Sequence, residues 1–173
     1  MTGQYAPPSP FLLGDAEAFL GRDSQEPTRQ SGVYGWCVGP TRELAVVQYW
    51  GEAGNVKART DYQRARAEEF AEAVANGTDR WTAAGAALTP VLAAHLPDAY
   101  PVMWPVDGAT ERKGYEIALI RMSALHGATP PAQGGGWDWW PQTPAKWAAM
   151  SARVRAARRL LNQHFGREPD EFA

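Results

Sequence analysis

The sequence predicts an α+β domain: a small three-stranded antiparallel sheet flanked by helices, with a helical insertion and an extra C-terminal helix. Three observations carry that reading. Residues 33–38 and 44–50 are short runs rich in β-branched and aromatic side chains, and the polar Gly39-Pro40-Thr41 between them is hairpin grammar. Residues 99–106 (AYPVMWPV) form a third extended run. Around these runs, apolar residues recur at helical spacing in segments bounded by Gly, Pro and capping residues. At 173 residues, the chain is expected to form one domain that buries about two thirds of its unfolded surface.

Taken in order, residues 1–10 are rich in Pro and small polar residues and read as an arm. Residues 11–20 hold Phe11, Leu12, Leu13, Phe19 and Leu20, with Asp15 as the N-cap of a short helix docked on the domain. Residues 21–30 are polar, contain Pro27, and form a loop. The second hairpin strand stops at Gly51, and Gly54-Asn55 makes another turn. A helix follows over 55–76, with Ala67, Phe70, Ala71 and Val74 inward and Asn76-Gly77 as its stop. A second helix, capped by Thr78 or Asp79, runs toward His95 with Trp81, Ala84, Leu88, Val91 and Leu92 inward and a kink or break at Pro90.

Pro101 and Pro105 make the third run an edge strand, or one with irregular ends. Asp107-Gly108 turns the chain into a helix over 111–126, with Ile117, Leu119, Ile120 and Leu125 inside. Gly127 and Pro130-Pro131 end it, and residues 132–141 are a Gly/Trp loop. Thr143 or Pro144 opens a last helix to about residue 165. Its stripe is Trp147, Met150, Val154, Ala157, Leu161 and Phe165, with Lys146, Arg153, Arg155, Arg158 and Arg159 mostly outside. The expected organisation is an arm and short helix over 1–30, a core over 31–133 with the insertion at 76–97, and a Trp/Gly loop with a basic helix over 134–173 packed on the same domain.

Net charge is −2, so the chain as a whole does not advertise a nucleic-acid partner. The charge is uneven, however: no Asp or Glu lies between Asp138 and Glu168, and arginines cluster there. The single cysteine, Cys37, excludes an internal disulfide and a cysteine-rich zinc site. No signal pattern or membrane-length apolar run is present, and a cytoplasmic protein is the expectation. The eight tryptophans read mainly as core packing. His95, His126 and His164 sit near helix ends, where the helix dipole favours a cation, and none is assigned as a ligand.

The chemistry lies in Gly32-Val33-Tyr34, then Tyr49-Trp50-Gly51, then Gly54-Asn55-Val56-Lys57-Ala58-Arg59, and finally Glu116-Ile117-Ala118-Leu119-Ile120. In this order and on these elements, the segments resemble the GIY-YIG nuclease superfamily. The Tyr-x-Gly, the Gly-Asn turn and the arginine are similar to the N-terminal nuclease domain of the bacterial nucleotide excision repair endonuclease. The resemblance covers residues 31–133 and implies a metal-dependent endonuclease acting on DNA phosphodiester bonds, with a restriction- or defence-type role by analogy. Glu116 would hold Mg²⁺ or Mn²⁺, since a hard cation that keeps its waters needs few protein ligands. Arg59 would offer planar, permanently charged donors to the phosphate. Tyr34 would be the proton acceptor, with a nearby arginine or cation lowering its pKa, and Tyr49 would position water or phosphate. The two tyrosines are expected to face one another across the hairpin.

Three positions depart from the family's pattern. Gln63, beside Tyr62, stands where many relatives carry a histidine or tyrosine one turn beyond the arginine. Gln133 stands where many have an asparagine, and Trp50 replaces a small aliphatic residue within Tyr-x-Gly beside Gly51. Lys57, Arg64 and Arg66 next to the site, and Arg155, Arg158 and Arg159 on the last helix, are the candidate phosphate contacts. Trp137, Trp139 and Trp140 are candidates either for stacking on unpaired bases or for capping the core. RNA is the other candidate strand, and cutting a duplex with one site calls for a homodimer or two successive events. The alternative reading is a nucleic-acid-binding module on the same fold without efficient catalysis.

Overall fold

The strand β1 (Gly32–Val38) organises the sheet, because it pairs on both sides and nearly every residue in it is buried. The computed structural model describes residues 10–78, 87–126, 130–133 and 152–166. Within them, β1 lies between β2 (Val46–Ala53) and β3 (Tyr100–Pro105), antiparallel to both. Five helices accompany the sheet among the described residues: α1 (Leu13–Leu20), α2 (Val56–Ala75), α3 (Leu88–Ala94), α4 (Ala109–Leu125) and α5 (Ala152–Phe165). The α+β expectation holds at this level. None of these helices is long and apolar enough to cross a membrane.

Side chains alternate across the sheet and divide the core in two. Val33, Cys37, Val47, Trp50, Val102 and Trp104 pack with α1, α4 and α5. Tyr34, Trp36, Ala53 and Met103 pack with α2 and α3. Trp36, Trp50 and Trp104 are fully buried, so these three tryptophans are core; Trp81, Trp137, Trp139, Trp140 and Trp147 lie outside the described residues. The register slips between Trp36 and Cys37, leaving Gln48 as the extra residue of a bulge in β2.

Both outer edges are covered. Gln25 exchanges two backbone hydrogen bonds with Met103, at 2.9 and 2.8 Å. Pro101 and Pro105 share Met103's parity, so their missing N–H groups face outward and the β1 ladder loses nothing. This is why two prolines fit in a strand. On the far edge, Ala132 N–H donates to Gln48 O at 2.9 Å. Gln133 completes the cover with its side chain: Oε1 accepts from Trp50 N–H at 2.9 Å, and Nε2 donates to Trp50 O at 3.2 Å.

Several boundaries differ from the sequence reading. β2 begins at Val46 rather than at Leu44, which is 57 % exposed, and it continues past Gly51 to Ala53. Asp15 is not the N-cap of α1. That position belongs to Leu12, whose N–H donates to Asp15 Oδ2 at 2.9 Å while its backbone bridges to Val46. Pro90 falls in the first turn of α3, where a missing N–H is tolerated. Leu125 and Phe165, expected inward, are half exposed at the ends of their helices. Thr78, an expected cap of the insertion helix, instead bonds back to Ala73 O through its N–H and its hydroxyl. The other expected cap, Asp79, the start of the last helix, and Ala84, Lys146 and Met150 fall outside the described residues.

α4 and α5 pack closely because Gly114 has no side chain. A Cβ there would lie 2.7 Å from Ala156 Cβ. The contact brings the start of α5 beside the first half of α4.

Candidate active site

β2 and β3 finish at the end of the sheet where β1 begins. Gly32 pairs with both Ala53 and Pro105, so α2 and α4 leave the same end of the sheet, one to each face. That topology places Arg59, one turn into α2, and Glu116, two turns into α4, near the hairpin tyrosines. Asn55 fixes the start of α2, its Oδ1 accepting from Ala58 N–H at 3.0 Å. Backbone bonds from Val56 N–H to Gln30 O and from Lys57 N–H to Thr28 O hold the same turn.

Tyr34 and Tyr49 share a face but are not directly opposite. Tyr34 pairs with Gly51 and Tyr49 with Trp36, so the phenols are diagonal neighbours with ring centroids 6.2 Å apart. Gly51 makes this possible. A Cβ there would lie 2.6 Å from both Cζ and Oη of Tyr34, and 2.8 Å from Tyr49 Cε1. The glycine of the Tyr-x-Gly motif is therefore the floor under both rings. Tyr34 is fully buried, while Tyr49 is partly open.

Gln63 lies one turn beyond Arg59 and closes the inner side. Its Nε2 donates to Tyr34 Oη at 2.9 Å, and its Oε1 accepts from Trp36 Nε1 at 2.8 Å. Tyr62 points outward, 60 % exposed, with Arg66 over its ring.

Glu116 is 7 % exposed. Lys113, one turn earlier, forms an ion pair with its Oε2, which otherwise has no hydrogen-bond partner among the described residues. Burial raises the Glu116 pKa above the usual carboxylate range; Lys113 and Arg153 pull it down and Glu52 pushes it up. Glu52 is itself paired with Arg112, Nε to Oε2, at 3.0 Å.

Each of the two tyrosines lies within electrostatic reach of the other, of Arg59 and of Glu116. Burial raises Tyr34 well above the ordinary phenol range; Tyr49 and Glu116 add to the rise, and Gln63 and Arg59 oppose it. Tyr49 is also raised, first by burial and then by Glu116, against Arg59 and the neighbouring Tyr34 hydroxyl. The expected lowering by arginine is present, but desolvation outweighs it, so neither phenol of the chain by itself is an activated base.

Among the described residues, no group of three or more His, Cys, Asp or Glu side chains is placed to hold a metal. Glu116 is a lone buried carboxylate whose Oε2 is already paired with the Lys113 ammonium, so a hydrated divalent cation could be held there only in place of that lysine.

The candidate phosphate contacts divide. Lys57 is an exposed pair with Asp61 at 2.8 Å, and Arg66 pairs with Glu69 at 3.7 Å; such surface pairs are weak and readily exchanged. Arg64 is committed to the fold: it donates to Ala99 O at 3.0 Å and lies 5.1 Å from the centre of the Trp36 ring. Arg155 and Arg159 are exposed. Arg158 is not a surface contact. It is 8 % exposed, since it shares the α5 face of Val154, Ala157 and Leu161 that packs on α4. Gln133 is bound to the β2 backbone rather than free for substrate. Sequence reasoning missed Lys113, although its three-residue spacing from Glu116 on a helix was a usable signal. Arg153 reaches Glu116 only through the α4–α5 contact, which no local pattern announces.

Compared with known proteins, the chain matches no family model, no curated protein and no solved structure.

Proposed function

We propose that this chain is a metal-dependent endonuclease of the GIY-YIG type that hydrolyses DNA phosphodiester bonds. One observation carries the reading. Tyr34 and Tyr49, on adjacent strands, share one face of the sheet, and each lies within electrostatic reach of Arg59 from α2 and Glu116 from α4. Arg59, exposed on a capped and anchored helical turn, meets the phosphoryl oxygens with planar donors. Tyr49, the more open phenol, orients the scissile phosphate or the attacking water, with Tyr34 behind it. Glu116 would hold Mg²⁺ or Mn²⁺ in place of Lys113, and a cation there would supply neutralisation of phosphate charge and a more acidic water. Lys57 and Arg66 next to the site, and Arg155 and Arg159 on α5, are the proposed DNA-backbone contacts. A homodimer or two successive events would cut both strands.

The test is cleavage of supercoiled plasmid with Mg²⁺ or Mn²⁺ by the parent beside Tyr34→Phe and Glu116→Gln. Each substitution is expected to lower the rate by about 10²–10⁴-fold. Equal rates in all three would sink the reading. A second reading, a nucleic-acid-binding module without efficient catalysis, is favoured by the raised phenols and by the Lys113 ion pair on Glu116. A mobility shift of DNA without cleavage under any divalent metal would select it.

A further inference from the structure

The Gln63 side chain hydrogen-bonds both the buried tyrosine and the buried tryptophan of β1. The indole Nε1 of Trp36 is a donor only. Lying 2.8 Å from Gln63 Oε1, it commits the amide oxygen to the indole. Turning the amide over would set N–H against N–H inside the core. The amide nitrogen, also a donor only, is therefore the atom 2.9 Å from Tyr34 Oη. Tyr34 thus accepts from Gln63, and its own proton must leave in another direction. The ring of Tyr49 is the neighbouring phenol, with ring centroids 6.2 Å apart, and Tyr34 Oη and Tyr49 Cε1 both lie against Gly51.

We infer that Gln63 is a positioning residue: locked by Trp36, it turns the Tyr34 proton away from α2 and toward Tyr49. The two phenols become a directed pair in which neutral Tyr34 donates and Tyr49 is the outer member. An imidazole at this place could accept or pass on a proton; an amide held at both ends cannot, and only fixes a direction. The charged and titratable groups around Tyr34 are Tyr49 from β2, Arg59 from α2 and Glu116 from α4. Among the described residues, the hydrogen bond to the Tyr34 hydroxyl is the one from Gln63. The use of this pair in a reaction rests on the endonuclease reading; the proton arrangement does not.

The decisive variant is Gln63→Glu, with Gln63→Leu beside it. In Gln63→Glu, the protonated carboxyl reproduces the amide, accepting from Trp36 and donating to Tyr34. Once ionised, the same carboxylate accepts from both and reverses the tyrosine. The readout is the NMR signal of the Tyr34 ring carbon bearing the hydroxyl, in the full chain with labelled tyrosine and assigned through Tyr34→Phe. In the parent and in Gln63→Leu the signal is expected to stay flat between about pH 5 and 8, below the phenol range. In Gln63→Glu it is expected to shift through a single titration, while the Trp36 indole proton stays hydrogen-bonded. A flat Tyr34 signal in Gln63→Glu, or the same movement in Gln63→Leu, overturns the assignment.

Plasmid cleavage supplies the second arm. Gln63→Glu is expected to lose at least about tenfold in kcat as pH rises through that titration, relative to the parent and with KM unchanged. A profile parallel to the parent's overturns the positioning role. If the Tyr34 signal follows the introduced carboxyl while the parent cleaves nothing, the proton arrangement stands and the endonuclease reading falls.

Discussion

The two faces of the sheet are made from the same three strands and used in opposite ways. On the α4 side, Trp50 and Trp104 pack with ring centroids 6.0 Å apart, and each indole N–H has a fixed acceptor. Trp50 Nε1 donates to Ser123 Oγ and Trp104 Nε1 to Arg22 O, both at 3.0 Å. On the α2 side, two phenols at nearly the same ring spacing meet an amide and lie within reach of an arginine and a buried carboxylate. The first face uses polar atoms to finish the packing. The second uses packing to aim polar atoms. Stability should therefore follow the first face, and activity the second.

The largest effect on stability belongs to the tryptophan face. Trp104→Ala removes a fully buried side chain that the α1, α4 and β1 layers close around, and should cost about 3–5 kcal/mol in denaturant unfolding. A loss below about 1 kcal/mol would show that the contrast between the faces is misplaced. Gly51→Ala, on the tyrosine face, should do the reverse. One methyl group pressed on both phenols is expected to cost about 1–3 kcal/mol. The displaced rings should lower cleavage by about 100-fold, far more than the unfolded fraction explains. Folded Gly51→Ala protein cutting at the parent rate would separate the tyrosines from the reaction.

The contrast also explains what was legible in the sequence. The closed face writes itself in apolar letters, so the strands, the helix over 111–126 and the tryptophan core can be read directly. The inner face of α2 cannot. It runs Val56, Thr60, Gln63, Ala67 at helical spacing, but Thr60 and Gln63 are polar, and the apolar Val74, expected inward, is 62 % exposed. Thr60 is buried because its hydroxyl bonds to Val56 O, and Gln63 turns inward because it serves two partners in β1. A helix that faces a polar site does not show an apolar stripe. Arg158 misleads for the converse reason: a charge on a packed face reads as surface. Gln133 matches a motif offset but serves the β2 edge, a long-range contact without a local signal. The tyrosines, Arg59 and Glu116 were singled out by the order of short motifs rather than by periodicity, and the structure sets both tyrosines within electrostatic reach of the arginine and the glutamate.

The smallest effect separates the faces most cleanly, because its sign differs. Burial raises the Glu116 pKa more than Lys113 and Arg153 lower it. The folded chain therefore holds this proton more tightly than the unfolded chain does. Linkage then makes stability fall as pH rises, through the window from the ordinary carboxylate range up to the raised value. Above that window the cost of the buried charge is present in full; below it the carboxyl is neutral and the cost is gone. Glu116→Gln cannot ionise at this position, so at neutral pH it should melt slightly higher than the parent, by a few degrees at about the most. The gap should close as pH is lowered into the ordinary carboxylate range. The measurement is the difference in Tm between the two proteins from about pH 4 to pH 8. Truncating a polar group on the tryptophan face, such as Ser123, has the opposite sign, because its partners lose a satisfied bond. A Glu116→Gln chain that melts lower at neutral pH would mean that the Lys113 ion pair outweighs desolvation. The carboxylate would then be part of the fold's support, and the tyrosine face would lose its claim to hold a charge at the expense of stability.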